Sequence, residues 1–304
     1  MNIVSLVTAL IINLSQISLL GCQVNPFSSP AQEKDGHPHV SMDVRACTPN
    51  ACMGQYVMIA CTFTIPKGWH VYWSNPGGSG AATTIEVQGL EGLIIDPVRY
   101  PRPLVFGEGA DVTYGYENEL TLLVPIKVPQ RFPDGIDSLD LTVRGDWFVC
   151  REKCFIGSAT KSISIPLTDK REQLEPWVNP QLSRYSWPKP LSGRPRTTAT
   201  YEENGTLVIT GPPTRAGKIG FLPDPTPGVE LGKPVVEVGE DAFFVTIPVQ
   251  YSPSDSLGQE PVARGLLTFG DEATMTSYQI SVPLKTTEGS DDSSREEDIE
   301  ETRP

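Results

Sequence analysis

The chain has 304 residues, and its 27 glycines and 29 prolines are about 18% of them against a usual ~12%. That composition argues against a helical bundle or coiled coil, and a hydrophobic share of 38% argues against a polytopic membrane protein. A formal net charge of −13 leaves no basic surface to replace phosphate counterions, so nucleic acid is not an expected partner; three histidines (His37, His39, His70) leave little for a histidine-built metal centre or a Ser-His-Asp triad.

In chain order, residues 1–21 read as a signal peptide. The apolar run ends in Leu19-Leu20-Gly21-Cys22 and resembles a bacterial lipoprotein signal, with Cys22 as the lipidated residue. An ordinary signal peptide or an uncleaved anchor is the alternative, because ~20 apolar residues can span a bilayer. Either way the chain is expected to be exported, where disulfides persist. Residues 22–40 read as a tether, with Pro26, Ser28, Ser29 and Pro30 and then His37-Pro38-His39, a weak metal-capture motif.

Residues 41–168 are strand-like. β-rich runs at 57–65, 120–126, 139–143 and 162–165 are separated by Asn75-Pro76-Gly77-Gly78, Phe106-Gly107-Glu108-Gly109 and Pro133-Asp134-Gly135. Short strands at this spacing predict an antiparallel sandwich rather than βαβ units. Residues 169–198 hold Pro176, Pro180, Pro188, Pro190 and Pro195 with Trp177 and Trp187; they read as a short helix over 169–174 and then an extended linker. Strands resume at 206–209, 234–238, 242–247 and 278–282, giving a second, smaller β-domain over 199–285. The tail, 286–304, has eight acidic and two basic residues and reads as a self-repelling disordered segment.

With Cys22 lipidated, five cysteines remain, an odd number. Cys150-Arg151-Glu152-Lys153-Cys154 would hold its sulfurs too far apart in one extended strand, ~13 Å by rise alone; a turn brings them into bonding range. Such a small loop gains little chain-entropy stabilisation, so the bond is a candidate redox switch. Arg151 and Lys153 would lower the thiol pKa and Glu152 would oppose them. An inert hairpin clip is the alternative. Cys47 and Cys52 flank the turn-forming Thr48-Pro49-Asn50 and read as a structural disulfide. A zinc or copper site made of Cys47, Cys52, Cys150 and Cys154 is a weaker alternative, and no metal or cofactor is assigned. Cys61 lies in a β-run and reads as a buried hydrophobe.

Three segments carry a resemblance: residues 68–80 (Gly68-Trp69-His70-Val71-Tyr72-Trp73-Ser74-Asn75-Pro76-Gly77-Gly78-Ser79-Gly80), residues 113–119 and residues 147–157. In the same order they resemble motifs of the N-terminal periplasmic domain of the DsbD/ScsB thiol:disulfide interchange family. The resemblance implies an immunoglobulin-like sandwich whose Cys150 and Cys154 pass electrons from a membrane-embedded thiol reductant to exported disulfide-containing proteins. It also implies a cap loop over the sulfurs, matched in position by 111–116, with Tyr114 and Tyr116 as shielding aromatics. Trp147 would cover one sulfur or anchor its strand; Trp69, Tyr72 and Trp73 read as core aromatics. The sequence has no CxxC and no apolar domain like the family's, so the reductant is expected on a separate chain. The alternatives are a non-catalytic scaffold with a static disulfide, or a copper-tolerance factor, the latter implied only by the ScsB-type resemblance.

Overall fold

Alternation is cleanest in Ser138–Cys150, where Leu139, Leu141 and Val143 are buried and Asp140, Thr142 and Arg144 are exposed. A period of two sorts side chains onto opposite faces of a strand, and the apolar face must find a partner sheet. The computed structural model describes residues 33–34, 37–107, 111–132, 134–214, 217–224, 226–255, 260–271 and 275–284. The expected signal peptide, the lipidation site Cys22, most of the tether including the His37 side chain, and the acidic tail lie outside the described residues.

The first unit comprises β1 (Ser41–Ala46), β2 (Tyr56–Thr64), β3 (His70–Gly77), β4 (Thr84–Gln88), β5 (Ile94–Ile95), β6 (Leu104–Phe106), β7 (Thr113–Glu117), β8 (Glu119–Lys127), β9 (Ser138–Cys150) and β10 (Cys154–Thr168). One sheet runs β10-β9-β3-β7-β6, with β4 also on β9 and the short strand Ala51–Cys52 on β10; the other runs β1-β2-β8-β5. Between them Phe63, Leu120, Leu122, Val71, Leu139 and Val149 are essentially inaccessible. This is an all-β, immunoglobulin-like antiparallel sandwich.

The segment after the sandwich differs from the expected extended linker. Its helix is Val178–Leu182, not 169–174, and it packs on the outer face of the β1-β2-β8 sheet. There Val178 joins Cys47, Ala60 and Leu123 in an apolar cluster, with Trp177 and Trp187 at its edge. Gln181, 2% exposed, donates to Glu119 Oε1 at 2.8 Å and Thr121 Oγ1 at 3.0 Å. The near-continuous burial of β2 and β8 follows, since a sheet covered on both faces needs apolar residues at every position. Gln181→Ala is expected to cost about 0.5–1.5 kcal/mol by removing hydrogen bonds whose acceptors both keep Tyr185 as a partner, read as a lower midpoint in chemical denaturation; an unchanged midpoint would mean that the Gln181 side chain does not stabilise the sandwich.

The second unit comprises β11 (Thr198–Glu202), β12 (Thr206–Gly211), β13 (Ile219–Pro223), β14 (Val229–Leu231), β15 (Val235–Val238), β16 (Phe243–Tyr251), β17 (Val262–Phe269) and β18 (Thr276–Pro283). Its two sheets enclose a separate core of Leu207, Ile209, Phe243, Val245, Ile247 and Leu267. The two units touch at the end of β3. Ser74 Oγ donates to Asp224 Oδ1 at 2.9 Å and Asn75 Nδ2 to the Pro223 carbonyl at 2.7 Å, while Leu222 and Leu266 pack against the first core. Burial raises the Asp224 carboxyl above its ordinary value, and the Ser74 hydroxyl works against that shift.

Candidate functional site

β9 and β10 form one long hairpin, in register from Ser138↔Pro166 to Cys150↔Cys154. Residues directly opposed in an antiparallel ladder lie ~4.5–5.5 Å apart at Cα, so the turn Arg151-Glu152-Lys153 itself brings the two cysteines together. They form a disulfide, with Cα atoms 4.1 Å apart. Odd-numbered β9 residues face the core, so Cys150 lies on the outer face. It is nevertheless 2% exposed, whereas Cys154 is open to solvent. The Arg151 guanidinium lies over the Trp69 ring at 4.6 Å, on the side of the hairpin where Phe155 packs against Trp69 at 5.8 Å.

β3 flanks β9 at the same level, pairing Val71 with Val149 and His70 with Cys150. His70 and Tyr72 therefore share the outer face with Cys150. His70 Nε2 lies 3.3 Å from Tyr72 Oη, and the imidazole stacks on Phe106 at 5.0 Å. Burial holds the imidazole pKa below its ordinary value and Glu117 works against that. Tyr72 is roofed by its own downstream loop: a Cβ on Gly80 would lie 2.3 Å from Tyr72 Cζ, and Gly80 has φ +88°, a backbone that suits glycine. This gives the glycine-rich end of the residue 68–80 motif a packing reason.

Several expectations change. Tyr114 and Tyr116 do not cap the sulfurs. Gly115 pairs with Tyr72 and Tyr116 with Val71, which turns both tyrosines to the core. Tyr116 is 4% exposed and donates to the Pro101 carbonyl at 2.7 Å; Tyr114 lies edge-on to Trp73 at 5.9 Å. Trp147 also faces the core, edge-on to Phe63 at 5.3 Å and against Gly157, so it anchors the hairpin rather than covering a sulfur. Trp69 and Trp73 are core residues as expected. Tyr72 is buried on the opposite face.

Cys47 and Cys52 do not bond; with Cys61 they are free thiols. The intervening turn closes instead through Thr48 Oγ1 donating to the Asn50 carbonyl at 2.8 Å. Cys47 is sealed beneath the Val178 helix, and Cys52 sits on the strand beside Thr168. Burial pushes the thiols of Cys47 and Cys61 up to about 12, leaving them protonated and poorly nucleophilic at neutral pH. The four-thiolate metal alternative falls with the Cys150–Cys154 bond; among the described residues no three His, Cys, Asp or Glu side chains converge to hold a metal.

Neither His70 beside Cys150 nor Tyr72 and Phe106 against its ring was expected. The i, i+2 spacing of His70 and Tyr72 signals a shared face, but which face depends on strand pairing.

Residues 39–165 match the family model described as thiol:disulfide interchange protein DsbD, N-terminal. Among solved structures, the N-terminal periplasmic domain of ScsB from Proteus mirabilis aligns with 80% of this chain and 93% of its own, at 18% identity and a TM-score of 0.52. A variant of the major pilin subunit BcpA of Bacillus cereus aligns with 83% of this chain and 68% of its own, at 12% identity and a TM-score of 0.29. The periplasmic chaperone SfaE aligns with 80% of this chain and 100% of its own, at 12% identity and a TM-score of 0.24. No curated protein matches the chain by sequence.

Proposed function

Because residues 39–165 form a DsbD-type N-terminal domain of the thiol:disulfide interchange family, we propose that this protein is an exported electron relay working through Cys150 and Cys154. The observation that carries the reading is the asymmetric exposure of the disulfide: one sulfur-bearing residue is open, the other 2% exposed. An incoming thiolate attacks Cys154 Sγ, the S–S bond breaks, and its electron pair leaves on Cys150. The donor's second thiol then resolves the mixed disulfide, and the pair has gained two electrons and two protons. In the reverse half-cycle the Cys154 thiolate attacks a substrate disulfide and Cys150 resolves it.

The donor in this reading is a membrane-embedded thiol reductant on a separate chain, and the acceptors are disulfide-containing proteins of the periplasm. Lipid on Cys22 would keep the relay at the membrane surface. Ile156, 78% exposed, lies opposite Phe148 on the face that carries the sulfurs, an apolar contact suited to brief docking.

The reduction potential of the Cys150–Cys154 pair, measured by equilibration with dithiol buffers and mass analysis, tests this. A relay is expected to lie above about −300 mV, among known exchange proteins; a value well below it marks a static bond and a scaffold role.

A further inference from the structure

Four residues form one row across four adjacent strands. Glu117 of β7 pairs with His70 of β3, His70 with Cys150 of β9, and Cys150 with Cys154 of β10. Directly opposed residues of an antiparallel ladder project to the same face with Cβ atoms ~4.5–5.5 Å apart. The row thus sets a carboxylate, an imidazole and the buried sulfur side by side, the order used to activate thiols elsewhere. Tyr72 Oη and the Phe106 ring fix the imidazole.

We infer that His70 is the acid–base partner of Cys150 and that Glu117 is a positioning residue acting through His70. This deepens the relay reading and rests on it. When the S–S bond breaks, the electron pair arrives on Cys150 Sγ in a site that is 2% exposed, where an unpaired thiolate is costly. The imidazolium of His70 donates its proton to that sulfur, leaving neutral imidazole and a Cys150 thiol. In the return half-cycle, neutral His70 removes the proton as Cys150 attacks the mixed disulfide. Burial alone would make the imidazolium scarce near neutral pH, and the Glu117 carboxylate offsets that. Among the described residues, the titratable groups facing His70 are Glu117 from β7, Tyr72 from β3 and Cys150 from β9.

The test is the rate at which dithiothreitol reduces the disulfide of the full chain, from pH 5.5 to 9, for wild type, His70→Gln and Glu117→Gln. The reductant's ionisation is common to all three, so rate ratios isolate the protein. Wild type over His70→Gln is expected to be about a hundredfold at low pH, the weak end of general acid catalysis, and to fall toward one at high pH as the imidazolium is lost. Glu117→Gln is expected to shift that fall to lower pH. Glu117 is exposed, so this variant leaves the core untouched should His70→Gln fold poorly. A pH-independent ratio, or a Glu117→Gln profile superimposable on wild type, overturns the inference. A potential below −300 mV alongside the expected profiles would overturn the relay alone, since proton delivery to Cys150 is read without any physiological partner.

Discussion

Cys150→Ala is expected to accumulate a stable mixed disulfide with a disulfide probe, and Cys154→Ala is not. The chemistry of the two residues is identical, so the difference must come from position. Thiol–disulfide exchange needs the attacking sulfur in line with the disulfide it attacks, and access limits the rate. Cys154 stands at the open side of the hairpin tip, whereas Cys150 is 2% exposed beside His70. With Cys150 removed, the Cys154 thiolate still attacks, and nothing remains to resolve the product. Both variants would be incubated with oxidised glutathione in a Cys52→Ser background, because Cys52 is half-exposed. Adducts are counted by intact mass, and at least about tenfold more is expected on Cys154. Equal labelling, or labelling confined to Cys150, would contradict the proposed order of attack.

Trp147→Ala is expected to be the most destabilising change at the hairpin, costing about 3–5 kcal/mol, as for other buried aromatics truncated in a core. The indole is 4% exposed, meets Phe63 edge-on at 5.3 Å and lies against Gly157, where a Cβ would come within 2.2 Å of Trp147 Nε1. Denaturant unfolding of the oxidised protein measures the loss. The reduction potential should stay where it is in wild type, because Trp147 and the disulfide lie on opposite faces of β9. A clear shift in potential with little loss of stability would restore Trp147 as a cover for the sulfur.

Much of the fold was legible in the sequence. Alternation along 138–150 is a direct imprint of a half-buried strand, and the β-rich runs at 57–65 and 120–126 mark two more strands. What covers them was missed. Prolines and tryptophans at 169–198 suggested an extended linker, yet Val178, Gln181 and Tyr185 bind the sheet through long-range contacts that no local propensity encodes. The sequence also singled out Cys150 and Cys154 as a close pair once the chain turns, and the hairpin register shows how it does so. The Cys47–Cys52 clip failed for the complementary reason: closeness along the chain does not aim two side chains at each other.

The shielding residues show where the boundary lies. Strand periodicity alone puts Tyr114 with Tyr116 on one face and His70 with Tyr72 on one face. Which of those faces holds the sulfurs depends on how β7 and β9 pair with β3, and a slip of one residue exchanges the faces. The irregularity between Thr113 and Gly115 makes such a register unreadable from pattern. Sequence by itself determined the strands, the cysteine pair and the kinship of the first domain, because these follow from local periodicity and motif order. Only the tertiary structure decided that an imidazole rather than two tyrosines stands beside Cys150, because neighbours across a sheet are set by pairing between strands distant in the chain.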